Sequence, residues 1–452
     1  MFKRLLMVCL FVGSSNAFAV ETIVPPGGGL QAAIAAAADG DVIILQSGVY
    51  SNADTHIEIG VSLTIRAESA AAAPIIEDSL NVPNTISIAK LVIQGVQVDA
   101  VNVTAGGTLD ELELLEVTLT GGSGITAVPS SANMKKFTMI GSSNTCVNDV
   151  YISIYAGDIV FAGNSICKVA NLVYLNATEQ GGKSITVVGN TFNSLVANSG
   201  MLSISYGGEV LVAANRFVQR WAKSAQTYSG NATFEYYFIH QTGNERFTAR
   251  NNIFSVKTDR VTAGAVVDRI RPVDNVNNFI FENNIVDAGN MGIWAPGLGE
   301  VEQEAMIENG ADVPASLRGN IFINYQDNVL PLAVVDKDLG AKNNLCFNNS
   351  ENCGTIDGNL DVDPQFIDTI DYKLTAGTSP AIDTGITDVL LSDLDGTRND
   401  MGAYGGSWSI DQYDVQRDPA AVGPYIYPVI DAARGVASGN VRVRFVSYGR
   451  QL

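Results

Sequence analysis

Asparagine recurs in this chain just ahead of a short apolar stretch: Asn164-Ser165-Ile166, Asn190-Thr191-Phe192, Asn215-Arg216-Phe217, Asn252-Ile253-Phe254, Asn284-Ile285-Val286, Asn320-Ile321-Phe322 and Asn344-Leu345-Cys346. Successive members lie 26, 25, 37, 32, 36 and 24 residues apart. A unit of that length, with one turn and a few short strands, cannot bury an apolar face alone and has to stack on copies of itself. Asparagine suits such a stack, because it tolerates left-handed backbone geometry and its carboxamide can bond the equivalent residue one coil away. These asparagines therefore read as structural. A leucine-rich repeat is excluded, since no constant period or fixed leucine spacing is present.

The strands of the stack follow the same period. Short apolar or alternating segments recur around Leu63, Leu91, Leu114, Phe137, Ile159, Ile185, Val210, Phe247, Phe279 and Leu317. Ahead of them, Leu30 to Ala38 is alanine-rich and helical in propensity, and Asp39-Gly40-Asp41 turns into a first strand at Val42 to Leu45. A short amphipathic helix there predicts an N-terminal cap over an otherwise open sheet edge. The phrase LQAAIAAAADGDVIILQSGVY (30–50) resembles the opening of right-handed parallel β-helix enzymes of the pectate lyase-like kind. The resemblance implies an all-β, right-handed parallel β-helix with an N-terminal capping helix, spanning residues 20–406. Two later segments, 363–385 and 393–406, resemble the terminal segment of many secreted β-helix proteins and imply the last coil and its cap. Asp393-Leu394-Asp395-Gly396 within them reads as a turn. Residues 407–452 are expected to be a tail, either a strand packed on the coil or the start of a further module.

Lys3, Arg4, the apolar run Leu5 to Val12 and Ala17-Phe18-Ala19 have the order of a secretory signal peptide, so residues 1–19 are expected to be removed. This predicts a secreted or periplasmic protein. Cys9 goes with the signal. Of the remaining cysteines, Cys146 and Cys167 lie about one repeat apart, and Cys346 and Cys353 flank a polar loop. In an exported chain they read as two disulfides. No later apolar run is long enough to insert in a membrane.

The formal charge is −20, from 27 Lys and Arg against 47 Asp and Glu, and it argues against nucleic acid as a partner. Against that background one stretch stands out. Between Arg216 and Arg271 there are nine cations and four anions, a local balance of +5. Trp221, Tyr228, Phe234, Tyr236, Tyr237, Phe238 and His240 are interleaved with them. The three longest steps of the repeat fall between Asn215 and Asn320, and insertions in a solenoid go to loops on one face. Cations recognise carboxylate or sulfate, and aromatic faces stack on sugar rings. The stretch predicts a groove for an acidic polysaccharide lined by Arg216, Arg220, Lys223, Arg250, Lys257, Arg269, Trp221, Tyr236 and Trp294.

Within it, EYYFIHQTGN (235–244) and DRIRPVDNVNNFIFENN (268–284) resemble two consecutive coils of the chondroitinase B and alginate lyase family. In that family one coil carries a Glu, a Lys base five residues later and a Gly-Asn turn, and the next coil carries an Arg. The resemblance implies Glu235 in the acidic position, His240 in the base position, and Arg271, with Arg269 as alternative, in the Arg position. It also implies a calcium site at Glu235 and Asn198, the latter within NSGMLSISYG (198–207). Here His240 replaces the Lys, and Thr233 stands where the family has a second acidic ligand. The implied reaction is lyase-type β-elimination of a uronate-containing glycan. It needs a base near neutral pKa, a cation against the carboxylate and an acid for the leaving oxygen. Those are His240, Arg271 and Tyr237. The alternative is a non-catalytic glycan-binding or cell-surface β-helix protein. A glycoside hydrolase would need paired carboxylates facing one groove; Glu300, Glu302, Glu304 and Glu308 share one polar loop that reads as solvated.

Overall fold

The computed structural model describes residues 19–51, 56–104, 107–127, 134–146, 151–167, 173–177, 184–194, 201–205, 208–221, 234–242, 246–258, 267–274, 279–291, 316–325, 342–349, 353, 356–417, 425–430 and 443–448. The description is of the backbone alone at 122–123, 127, 220–221, 234–237, 240–242, 246, 258, 267–274, 279, 288–291, 325, 356, 390, 414–417, 425–430 and 443–448. Residues 1–18, within the expected signal peptide, lie outside it.

Nearly all described strands belong to one parallel β-helix whose coils contribute to three sheets. In the first sheet, Asp41–Leu45, Leu63–Ala67, Ser87–Gln94, Thr108–Leu115, Met134–Ile140, Ile152–Ala162, Ser184–Val188, Glu209–Ala213, Arg246–Arg250, Phe279–Glu282 and Ser316–Arg318 pair in turn. All ten apolar segments picked out by the repeat fall on this ladder. Alternation sets the inward face, as in Leu63, Ile65 and Ala67, whose neighbours Thr64 and Arg66 face outward. The second sheet follows each turn, with Ser165–Cys167, Thr191–Ser194, Arg216–Trp221, Ile253–Thr258, Ile285–Met291, Ile321–Tyr325 and Leu345–Phe347 in register. The third sheet closes the coil through Val173–Ala177, Leu202–Ser205, Phe234–Thr242 and Val267–Asp274.

The corner between the first and second sheets is a two-residue turn. Its first residue has positive φ and its second is the repeating asparagine. The positive-φ residues are Gly163, Gly189, Ala214, Asn251, Asn283, Gly319 and Asn343. The left-handed position expected of the repeating asparagine is thus occupied by its predecessor. The repeating asparagines point into the stack and are buried. Each Oδ1 accepts from both the backbone N–H and the Nδ2 of its counterpart one coil earlier: Asn190 Oδ1 takes Asn164 N at 2.8 Å and Nδ2 at 3.0 Å, and Asn252 Oδ1 takes Asn215 N at 3.0 Å and Nδ2 at 2.9 Å. Each Nδ2 also reaches back to a carbonyl of the preceding coil, as Asn215 does to Val187 at 2.9 Å. Two lone pairs and two N–H groups are all used, so only a carboxamide of this length completes the position.

Beside the ladder runs a file of stacked rings. Phe161, Phe192, Phe217, Phe254, Phe281 and Phe322 follow one another with centroids 6.0, 4.9, 5.0, 5.9 and 6.4 Å apart. Here the second residue after the asparagine supplies most of the rings, which is why the motif reads as asparagine plus an apolar pair.

The N-terminal cap forms as expected. Helix α1, Leu30–Ala36, buries Leu30 and Ile34, and Glu21–Val24 pairs with the first strand of the first sheet. The side chain of Gln31 bonds both the N–H and the C=O of Glu58, at 2.7 and 3.3 Å, and so stands in for the missing neighbour of the strand His56–Glu58. Both disulfides are present, with Cα separations of 5.2 Å for Cys146–Cys167 and 5.6 Å for Cys346–Cys353. They place the protein in an oxidising environment. No helix among the described residues is long and apolar enough to cross a membrane.

The C-terminal segments differ from expectation. Beyond Leu360–Asp361, the last strand of the second sheet, the chain doubles back over the outside of the first corner as a strap. Tyr372, Met401, Ala403, Trp408, Ile410 and Tyr413 close a second apolar core on Ile140, Ala162, Val188, Ala213, Ile253, Ile285 and Ile321. The physical reason is the corner itself, whose outward residues are apolar and need cover. Helix α2, Ile410–Arg417, continues the strap into the expected tail, and Tyr425–Ile430 pairs antiparallel with Val443–Tyr448. Asn251, Asn283 and Asn343, the positive-φ asparagines, turn outward and donate to strap oxygens at Ala403 and Gly405, at Asn399, and at Thr384. A Cβ on Gly189 would lie 3.0 Å from Tyr413 of the strap, and one on Gly319 would run into the Asn283 carboxamide of the preceding corner and lie 3.2 Å from Ile386 of the strap.

Replacing Asn215 with Ala would orphan two buried donors of Asn190 and the carbonyl of Val187. At roughly 1–3 kcal/mol for each buried group left unpaired, urea unfolding should show a loss of at least about 3 kcal/mol. A loss below about 1 kcal/mol would mean that the ladder does not hold the stack.

Candidate functional site

The long steps of the repeat gain their extra residues after second-sheet strands; after Met291 the next described strand, Ser316–Arg318, is already in the first sheet. Intervals 222–233, 259–266 and 292–315 all leave from the ends of second-sheet strands, after Trp221, Thr258 and Met291. Asn198, Lys223 and Trp294 lie outside the described residues. So do Thr233 and the Gly243-Asn244 turn.

The expected catalytic residues lie on two adjacent third-sheet strands. The register sets Glu235 against Arg269, Tyr236 against Ile270, Tyr237 against Arg271 and His240 against Asp274. Phe238 and Ile239 are both fully buried, so the strict alternation of the strand slips between them. On the other flank His240 pairs in register with Ser203, which alternates with the core residues Leu202 and Ile204. Asp274 was not singled out by the sequence, because its partnership with His240 spans two coils. In the second sheet, Arg220 lies in register with Lys257 and Trp221 with Thr258.

Three of the expected binding cations have partners inside the fold. Arg250 Nη2 lies 2.8 Å from the buried carboxylate of Glu282, which also accepts from Arg318 Nε at 3.0 Å. These three occupy one register row on consecutive first-sheet strands. Arg216 pairs with Asp371 of the strap at 3.3 Å and donates to the hydroxyl of Tyr404 at 3.4 Å. Lys257 donates to the carbonyl of Thr369 at 2.6 Å and to Tyr372 Oη, sits 3.5 Å from Asp287, and lies 4.5 Å from the Tyr372 ring centre. Burial, and then the Asp287 carboxylate, push the Tyr372 phenol far above its ordinary pKa, so it remains a donor to Asp287. Burial raises Tyr404 to about 12. Arg216 and Lys257 fasten the strap, Arg250 ties adjacent coils of the first sheet, and the local excess of cations is partly neutralised by Glu282, Asp287 and Asp371, which lie beyond the stretch in sequence.

The calcium site implied at Glu235 and Asn198 is not supported by its donor set. Calcium takes six to eight oxygens, whereas the second acidic position holds Thr233 and Arg269 sits in register beside Glu235. A separate group of carboxylates lies in the strap, where Asp383, Asp393 and Asp400 offer oxygens within 4.8 Å of one another. Turn bonds occupy them: Asp393 accepts from the N–H groups of Gly406 and Asp400, and Asp400 from that of Asp383 at 2.8 Å. The Asp393-Leu394-Asp395-Gly396 turn is closed by Gly396 N to Asp393 O at 3.0 Å and by Thr397 N to Asp395 Oδ1 at 2.9 Å. Burial, opposed by the Gly406 bond and reinforced by Asp400, raises Asp393 to about 6, and burial raises Asp400 as well.

No protein-family model matches the chain, and no curated protein does. What the chain can do rests on its own geometry.

The raised carboxyls give a pH signature with a definite sign. A carboxyl whose folded pKa lies above its unfolded value binds its proton more tightly when folded, so its contribution to stability falls as pH rises between the two values. The melting temperature should therefore rise on acidification from pH 7 towards about 5, before carboxylates held low, such as Asp41 and Asp368, protonate. Asp393→Asn should raise it at pH 7 and flatten the slope. An unchanged slope in that variant would assign the pH dependence to other groups.

Proposed function

We propose that this protein is an extracytoplasmic β-helix protein that acts on an acidic polysaccharide by lyase-type β-elimination of a uronate. The site is formed by Phe234–Thr242 and Val267–Asp274. The observation that carries the reading is the parallel register, with Tyr237 opposite Arg271 and His240 opposite Asp274 on neighbouring strands.

In this reading His240 removes the proton alpha to the uronate carboxylate, for which an imidazole ionising near neutrality is suited. Asp274 orients it. Arg271, with Arg269 two residues before it on the same strand, neutralises the carboxylate as charge builds on it. The bond to the 4-linked oxygen then breaks, its electron pair leaves with that oxygen, and Tyr237 supplies the proton. A carbon–carbon double bond remains in the sugar ring, so atoms and electrons balance without a redox partner. Glu235 is assigned to holding Arg269, and no step is routed through a metal.

A second reading is favoured by the departures from the lyase pattern, with His240 in place of the Lys base and Thr233 in place of an acidic ligand: a surface protein that binds an acidic glycan without cleaving it. Both readings expect export and an acidic glycan as partner.

Incubating the mature protein with alginate, pectate and chondroitin sulfate, and following absorbance of the unsaturated product, separates them. The lyase reading expects product from one polymer, and a loss of roughly 10²-fold or more in His240→Ala and in Arg271→Ala with the melting temperature unchanged. Binding of a polymer with no product from any would sink the lyase and leave the second reading.

A further inference from the structure

The outer face of the third sheet carries a second aromatic group, away from the Arg216–Arg271 stretch. Tyr151 and Tyr155 flank Ser153 on one face of the same extended segment, two residues to either side. Tyr174, on the next coil, is in register with Ser153 and thus faces the gap between them. The rings of Tyr151 and Tyr174 lie 6.0 Å apart at 53°. Burial raises the Tyr174 pKa, and the phenols of Tyr151 and Tyr155 raise it further, in keeping with three rings gathered on one spot. Ser153 is buried beneath them, while all three tyrosines are only half-buried. The stacked phenylalanines of the core are fully buried by contrast.

Stability alone does not account for this arrangement. An outward strand position is satisfied by a small polar residue such as Thr126 or Asn176, which occupy the same rows on neighbouring coils. Three half-buried rings gathered about a small buried serine offer aromatic surface beside hydroxyls, and that combination suits the face of a pyranose with its flanking hydroxyls. Charge points the same way. The third-sheet segments 124–127, 152–156, 173–177 and 201–205 contain no Asp, Glu, Lys, Arg or His, in a chain of net charge −20. This neutral strip lets a polyanion approach where most of the surface repels it.

The strip leads to the proposed site. Tyr174 is in register with Ser203, and Ser203 with His240, so His240 lies two coils along the axis, about 10 Å away at a strand spacing of about 4.8 Å. We propose that Tyr151, Tyr155 and Tyr174 form a stacking subsite for an uncharged ring face of the same polysaccharide whose uronate is held at His240 and Arg271, with the glycan lying along the solenoid axis. The subsite rests on the proposed function and adds the direction of the chain and a specificity for length: a short oligosaccharide fills one site, and a long chain fills both.

The test is calorimetric titration of the full mature chain with alginate, pectate and chondroitin sulfate, each as tetrasaccharide and as long polymer. For the polymer that binds, the triple variant Tyr151→Ser, Tyr155→Ser, Tyr174→Ser should lose about tenfold or more in affinity for the long chain and little for the tetrasaccharide. The triple Phe variant, which keeps the rings, should retain the long-chain affinity. Melting temperatures of both variants, compared with the unsubstituted chain, separate lost binding from lost folding. Equal long-chain affinity in the folded Ser variant overturns the subsite and leaves the proposed function standing; if the Ser variant does not fold, a loss of long-chain affinity in the folded Phe variant overturns it in the same way. If the unsubstituted protein binds none of the polymers, the proposed function and the subsite fall together.

Discussion

The carboxamide ladder at the first corner is the interaction on which the remaining structure depends. Each asparagine side chain spans three coils, because its oxygen takes two donors from one neighbour, one N–H goes to the other neighbour, and the second N–H returns to a carbonyl. In a buried corner any unfilled valence would be costly, so the spacing of coils is fixed there to hydrogen-bond precision. With that corner invariant at two residues, variation in coil length is pushed to the other corners. The long intervals after Trp221, Thr258 and Met291 leave from one side of the stack for this reason.

The strap is the second organising element, and it changes the meaning of the basic stretch. Asp371 and the Tyr372 and Tyr404 hydroxyls come from the strap, and Glu282 and Asp287 come from the next coil. Together they engage Arg216, Arg250 and Lys257. Buried pairs of this kind contribute little net stability, since desolvation offsets most of their attraction, yet breaking one is costly. Their effect here is to fix where the strap lies. In the proposed function the ligand surface is then the third sheet, whose strands carry His240, Arg271 and Tyr174.

The stack was legible in the sequence because its signals are local and repeated. Asn252-Ile253-Phe254 and its counterparts report the turn, the ladder and the ring file within three residues. The left-handed position was misplaced by one because Asn-Asn pairs such as 251–252 satisfy either assignment, and only the outward bonds of Asn251 to Ala403 and Gly405 distinguish them. The strap was illegible for a different reason: Arg216 meets Tyr404 across 188 residues, with no period to announce it. Counting charge along the chain likewise made an excess of what is partly neutralised in space. At the candidate site, the sequence offers Glu235, His240 and Arg271 by resemblance, whereas Asp274 and Tyr174 emerge from register alone.

The strap also alters how such a chain must fold. A solenoid held by nearest neighbours can nucleate anywhere and fray from either end, one coil at a time. Here the segment from Tyr372 to Tyr413 bridges coils from Gly189 to Asn343, so those coils are bound into one cooperative block with very high contact order. The residues that complete the block follow those coils in the chain and are synthesised after them. Until they arrive, Ile253, Ile285 and Ile321 stand as an uncovered apolar stripe along the corner, and a nascent or truncated chain carries an adhesive edge that the finished protein conceals.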